Sequence, residues 1–299
     1  ASSLRPEGAV TFRGVLGTQE QALGASIRRN NYKARDRVLT GQLLLSHLDE
    51  DAYEARSVTL AAGLERQTNI IWQKKWTWSY GLELTASKED DTVKATGEPR
   101  RRKYLTGAVP SSLAYDGSDD LLNPTKGVRL AGRISPELSL QGSAFGYVKA
   151  QIDGSTYLPL GRTVFAGRVR LGSIIGASAD RIAPTRRFYS GGGGSVRGYG
   201  YQEIGPIDVN GDPAGGRSLA EFAIEARIRF GNFGVVPFFD GGNLNTGNRP
   251  TFKNMRYGAG LGVRYYTSFG PIRVDVGTPV NPRPGDSKVA VYVSLGQAF

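Results

Sequence analysis

The sequence predicts an all-β fold, a transmembrane antiparallel β-barrel, on three observations. Apolar residues alternate with charged or small ones along most of the chain. No window reaches the ~18 apolar residues of a membrane-spanning helix. Tight turns alternate with long connections, as in outer-membrane barrels. Mean hydropathy is −0.32. A soluble chain has such a value, and so do strands that face lipid on one side and a polar lumen on the other.

Period-two runs place about fourteen strands, near residues 8–17, 20–30, 36–47, 54–66, 75–88, 101–115, 127–136, 142–157, 163–175, 218–230, 234–242, 255–267, 271–279 and 288–298. In the fourth run Val58, Leu60, Ala62 and Leu64 oppose Ser57, Thr59, Gly63 and Glu65. In the fifth, Trp76, Trp78, Tyr80, Leu82 and Leu84 oppose Thr77, Ser79, Gly81 and Glu83. Val128, Leu130 and Ile134 oppose Arg129 and Arg133, and Phe222, Ile224, Ala226 and Ile228 oppose Glu221, Glu225, Arg227 and Arg229. Tyr257, Ala259, Leu261, Val263 and Tyr265 alternate with Arg256, three glycines and Arg264. Ile272, Val274 and Val276 alternate with Arg273, Asp275 and Gly277. The last run sets Val289, Val291, Val293 and Leu295 against Ala290, Tyr292, Ser294 and Gly296, and the chain stops at Phe299. Stacked as a soluble sandwich, so many strands with charged alternate positions would need two wet faces; a barrel puts the apolar face in lipid instead.

Gly231-Asn232-Phe233-Gly234 and Thr267-Ser268-Phe269-Gly270-Pro271 read as tight turns, whereas 176–217, 241–254 and 279–287 are long links. With the C-terminus periplasmic, the long links are extracellular. Trp72, Trp76 and Trp78 then flank one periplasmic turn, where an aromatic girdle belongs.

Composition narrows the function. The chain has no Cys and one His, which excludes disulfides and leaves little for metal binding or His-based catalysis; no cofactor or metal is expected. A net charge of +11 would suit nucleic acid, but the Lys and Arg are spread over many strands and form no recognition patch. The chain opens at Ala1-Ser2-Ser3-Leu4 with no signal peptide, so such a segment is expected to have been removed or left out.

The most informative stretch runs from Ser190 to Tyr201. Five glycines surround Val196-Arg197-Gly198-Tyr199. This composition is poor for helix or strand and suits a loop that packs closely on a wall while placing one guanidinium inside it. The stretch from Arg187 to Pro206 resembles the sixth-loop motif of the outer-membrane insertase superfamily, which includes the barrel assembly protein BamA, the translocation-and-assembly subunit TamA and two-partner secretion transporters. Pro237 to Gly242, Gly258 to Arg264 and Gly270 to Asp275 fit the same family in the same order, and Val289 to Phe299 resembles its C-terminal β-signal. Ser195 to Pro206 is most similar to the TamA branch. The likeness is strong over roughly 185–299 and rests mainly on the strand pattern before that.

The resemblance implies a barrel of about sixteen strands, preceded by periplasmic POTRA domains. Nothing here reads as a POTRA unit, so the expectation is that these domains, and the first strands with them, lie outside this sequence. It implies a lumen-wall acid for Arg197, matching Asp240 and Glu225. Both occupy polar-phase positions of adjacent strands, and a planar guanidinium can bridge two carboxylates. Arg129, Arg133, Arg168, Arg170, Arg227, Arg264, Arg273 and Asp275 read as general wall polarity.

The implied activity is assembly and insertion of outer-membrane client proteins, including autotransporter-like ones, into the outer-membrane bilayer of a bacterium, with no covalent chemistry. A weakly paired seam at the last strand would offer its backbone to a client, Gly296 allowing a kink. An inner-membrane or periplasm-spanning partner is compatible with this. A two-partner-secretion pore and a surface-antigen or adhesion barrel are the alternatives. The glycine run matches no nucleotide-binding spacing. Asp208-Val209-Asn210-Gly211-Asp212 reads as a polar turn rather than a calcium loop, and Ser46-His47 lacks an evident acid for hydrolysis.

Overall fold

In a computed structural model, which describes residues 8–68, 74–268 and 270–299, a single antiparallel sheet contains every strand. They are β1 (Gly8–Leu16), β2 (Glu20–Asn30), β3 (Arg37–Glu50), β4 (Tyr53–Arg66), β5 (Trp76–Thr92), β6 (Pro99–Ala108), β7 (Ser111–Asp116), β8 (Gly127–Ser139), β9 (Phe145–Leu160), β10 (Thr163–Ile175), β11 (Ser218–Phe230), β12 (Phe233–Asn245), β13 (Arg256–Thr267), β14 (Gly270–Pro279) and β15 (Ala290–Leu295). Spatial order follows chain order, except that β6 and β7 lie end to end between β5 and β8. Fifteen strands therefore fill fourteen places in the barrel wall.

The run expected as one strand over 101–115 is two because of Val109-Pro110. Proline has no N–H for the ladder. Gly81 N–H instead donates to the Pro110 carbonyl and Val109 N–H to the Pro136 carbonyl, each at 3.0 Å. The last strand is shorter than the alternation implies. It ends at Leu295, because Gly296 adopts φ +90° and turns the chain.

The end carrying the 176–217 link is the extracellular one. The division of loop lengths is less clean than the sequence implies. The β1–β2 and β3–β4 turns are tight at this same end, and the 117–126 link is long at the opposite end, where Asp119 accepts the Thr125 N–H at 2.8 Å and the Lys126 N–H at 3.1 Å.

Alternation decides which side chain meets lipid. Leu82, Ile224, Leu261, Val263, Val291, Val293 and Leu295 stand exposed on the outer face, as does Val289 just before β15. Aromatics gather toward both ends: Trp76 against Tyr115 and Phe233 against Tyr265 on the periplasmic side, Phe222, Phe239 and Tyr257 on the other. Trp72 lies outside the described residues. Opposite this apolar outer face, the inner face carries buried charges such as Arg168, Arg227, Arg264, Glu225 and Asp275. The described ladders end at β1 on one side and β15 on the other, so these two strands are the edges of the described sheet. Ser46 pairs with Ser57 across the strand boundary while His47, one residue on, meets Glu54 at 3.1 Å; they share no site.

Candidate functional site: the lumen loop and the last strand

The link between β10 and β11 folds back into the barrel. One 3-10 turn (Pro184–Arg186) and isolated bridges from Phe188 to Gly216 and Ser190 to Ile204 set its path. Val196, Tyr199 and Ile204 form the loop's own apolar cluster, fully enclosed. At the entrance Arg187 bonds Asp91 at 3.2 Å, and Thr185 N–H donates to Glu89 at 3.0 Å.

Arg197 is 1% exposed. Its Nε and Nη2 donate to the two carboxylate oxygens of Asp240 at 2.8 and 2.9 Å, and its backbone N–H adds a third bond to Asp240 at 3.0 Å. Its Nη1 donates to Glu225 at 2.8 Å and to Asp275 at 3.3 Å. The guanidinium lies 3.8 Å from the centroid of the Phe238 ring, within cation–π range. Burial works against the charged form here, and the Asp240 bonds with the three nearby carboxylates outweigh it, so the Arg197 pKa is raised.

Asp275 is a member of this network, not general wall polarity. So are two arginines. Arg227 donates to Glu225 at 2.7 Å, and Arg264 to Asp275 at 2.5 Å. Glu225 and Asp275 thus each sit between the loop arginine and a wall cation, while Asp240 is bonded, among the described residues, to Arg197 alone; paired charges of this kind are what makes their burial tolerable. Above it, Arg168 donates to the carbonyls of Gly194 and Ser195 at 3.0 and 2.7 Å. Glu221 accepts from Ser190 at 2.7 Å and from Ser195.

Glycines make room for the loop. On the inner face of β13 a Cβ at Gly258 would collide with the Arg197 carbonyl oxygen, and one at Gly277 of β14 would come within 2.9 Å of the Gly198 nitrogen. Gly198 itself has φ +103°, a conformation that favours glycine. Gly258 and Gly277 therefore let the loop backbone lie directly on the wall, whereas Gly260 and Gly262 of β13 make room for wall groups, Phe238 and the Asp275–Arg264 pair.

The last strand is tied to the same loop. Tyr292 of β15 accepts the Gly198 N–H at 3.0 Å and donates to the Tyr199 carbonyl. The Tyr199 hydroxyl in turn donates to Asn281 at 3.2 Å. Beyond Gly296 the chain curls into the lumen: Gln297 accepts from Arg264 at 3.0 Å, and the Phe299 carbonyl accepts from Arg227 at 3.0 Å. Phe299 is thus a lumen residue and not the outward end of a strand. Its ring lies 5.3 Å from the Arg168 guanidinium. Tyr292 and Asp275 were legible only as polar-phase residues of their strands; nothing in their spacing says that both reach one loop.

Residues 8–299 match the Omp85 superfamily domain. The chain belongs to the Omp85 superfamily. Two curated relatives are outer membrane protein assembly factors BamA: that of Nitratidesulfovibrio vulgaris is 27% identical over 234 residues, covering 74% of this chain and 29% of the relative, and that of Neisseria meningitidis is 28% identical over 220 residues, covering 61% and 27%. The chain thus spans less than a third of the length of these relatives. The crystal structure of BamA from Haemophilus ducreyi lacking POTRA domains 1–3 superposes with a TM-score of 0.76 at 18% identity, over 95% of this chain and 63% of that one. This likeness fixes the fold as an outer-membrane β-barrel. An Omp85 barrel is a protein of the bacterial outer membrane, consistent with the lipid-facing apolar residues and the charged lumen described above.

Proposed function

We propose that the chain is the barrel of an outer-membrane assembly factor that folds and inserts other barrel proteins, autotransporter-like ones among them, through a lateral seam at the last strand. The observation that carries this reading is the state of β15. It pairs with β14 over only six residues, and its end bends inward at Gly296. A strand edge in lipid leaves N–H and C=O groups bare at several kcal/mol each, and a client strand satisfies them by adding to the sheet. Mismatch between a short β15 and the bilayer would thin the membrane beside the seam, lowering the barrier to insertion.

The stretch Ser195 to Pro206 supports placing the chain with the TamA branch of the family. A lumen filled by the loop and by residues 296–299 favours assembly at the wall over export through an open pore. No covalent step or cofactor enters the mechanism. Domains preceding the barrel, and any inner-membrane partner acting through them, belong to the same proposal.

The test is reconstitution of the full-length protein in lipid vesicles, following an autotransporter-like client to its protease-protected, heat-modifiable form. Insertion faster than in vesicles carrying an unrelated barrel is the expected result. Equal rates would reject the reading.

A further inference from the structure

The outer face of the N-terminal half carries a feature the seam does not use. In the β4–β5–β6 register Arg56 lies opposite Lys88 and Lys88 opposite Lys103, all three exposed and in the outward phase that continues the lipid-facing residues. One step toward the membrane centre the same register holds Val58, Ala86 and Leu105, and one step away from it Glu54, Asp90 and Arg101. The cations therefore form a single row directly on the extracellular border of the apolar band.

Like charges directly opposite one another on neighbouring strands repel, and the protein supplies this row with little compensation. Asp90 is occupied by Arg101 through two bonds of 2.6 Å. Glu54 is shared between His47, which extends the row onto β3, and Arg56, each at 3.1 Å. Neither Lys88 nor Lys103 forms an ion pair with a carboxylate among the described residues. Below the row an outward-open groove of about 1070 Å³ runs across β1 to β6, floored by Leu23, Leu45, Val58, Ala86 and Leu105. At the same height on the C-terminal strands the outward residues are the aromatics Phe222, Phe239 and Tyr257.

We propose that this row and groove bind a phosphate-bearing lipid of the outer leaflet. Its headgroup phosphate bridges Lys88 and Lys103, with Arg56 alongside, and an acyl chain lies along the groove. Anionic oxygens relieve the repulsion between the two ammonium groups through charge-assisted hydrogen bonds. The long side chains reach the headgroup level while their stems cover apolar wall. The cation row lies on β3 to β6, and the groove runs from it to β1, the edge of the described sheet opposite β15.

The test uses the full chain purified in a neutral detergent, titrated with lipid A (a bisphosphorylated glycolipid) and followed by native mass spectrometry. The wild type is expected to retain lipid A and to bind the dephosphorylated lipid of the same acyl composition much more weakly. Lys88→Gln with Lys103→Gln is expected to weaken lipid A binding about 30-fold, the effect of two surface cations. Lys88→Arg with Lys103→Arg retains it and controls for folding. Equal binding of the dephosphorylated lipid, or unchanged binding in the Gln pair, overturns the proposal. Displacement by an equal concentration of inorganic phosphate also overturns it, since that would be a free-anion site. None of these outcomes depends on client insertion, so the proposal fails or stands apart from the seam.

Discussion

The Tyr292 hydroxyl joins the last strand to the lumen loop, accepting the Gly198 N–H and donating to the Tyr199 carbonyl. Loop position and strand position are therefore coupled through one oxygen. Tyr292→Phe removes both bonds and leaves the Arg197 network intact, so it should cost about 1–3 kcal/mol locally. Amide hydrogen exchange at 198–200 is expected to rise while exchange at Arg197 stays slow. Unchanged exchange at 198–200 would mean that the hydroxyl does not hold the loop.

Arg197 is held by geometry as well as by charge. Lys in its place keeps the cation but loses the planar fork that meets both oxygens of Asp240 and still reaches Glu225. Arg197→Lys should therefore behave closer to Arg197→Ala than to wild type in client insertion. Asp240→Asn, which removes one charge from a buried network, should destabilise the docked loop by about 3–5 kcal/mol. Urea titration of the reconstituted barrel, read by protease access to 187–206, measures this. Wild-type protection in Asp240→Asn would show that Glu225 and Asp275 suffice.

Gly258 offers a steric test with an internal control. At Gly258 a Cβ meets the Arg197 carbonyl, whereas at Gly107 it meets nothing within 4 Å. Gly258→Ala should displace the loop and cost about 1–3 kcal/mol, the range for overpacking. Gly107→Ala should be close to neutral. A neutral Gly258→Ala would mean that the loop has freedom the structure does not display.

The fold was legible because a strand's two faces have different solvents: alternation at Val289 to Leu295 or Phe222 to Arg229 reports lipid on one side and lumen on the other. Arg197, Asp240 and Glu225 stood out through the family resemblance, with the inward phase of both carboxylates in agreement; inward acids such as Glu89, Glu137 and Glu221 are otherwise common along the wall. Asp275 was indistinguishable from other inward charges. Convergence on one guanidinium depends on wall curvature, which a period-two pattern does not contain. Tyr292 was hidden for the same reason, as an inward residue of unremarkable spacing. The bend at Gly296 was legible as a permissive position, but its direction, carrying Phe299 to Arg227 and Arg168, is set by partners on distant strands. The break at Pro110 was the one element boundary that local chemistry should have placed.

Gly296 has φ +90°, and a Cβ there would meet only the Leu122 carbonyl oxygen at an unstrained 3.9 Å, so Gly296→Ala acts through backbone strain. A cost of about 1–2 kcal/mol is expected, enough to loosen the inward curl. Crosslinks between position 299 and lumen residues near Arg227 should weaken. Full retention would show that the Arg227 and Arg264 contacts override the strain.

The seam itself is tested most directly by locking it. The 299-residue chain has no Cys, so in this barrel a pair introduced at Ala290 and at one position within 9–16 tests, without background, whether its two edge strands can be locked together by an intramolecular disulfide. Client insertion is then followed in vesicles before and after reduction. The seam account predicts that the locked protein stops inserting client, that reduction restores the rate, and that Ala290→Cys alone crosslinks to the client's terminal strand in one register. Equal insertion by locked and reduced protein, with no crosslink to client from position 290, would contradict it.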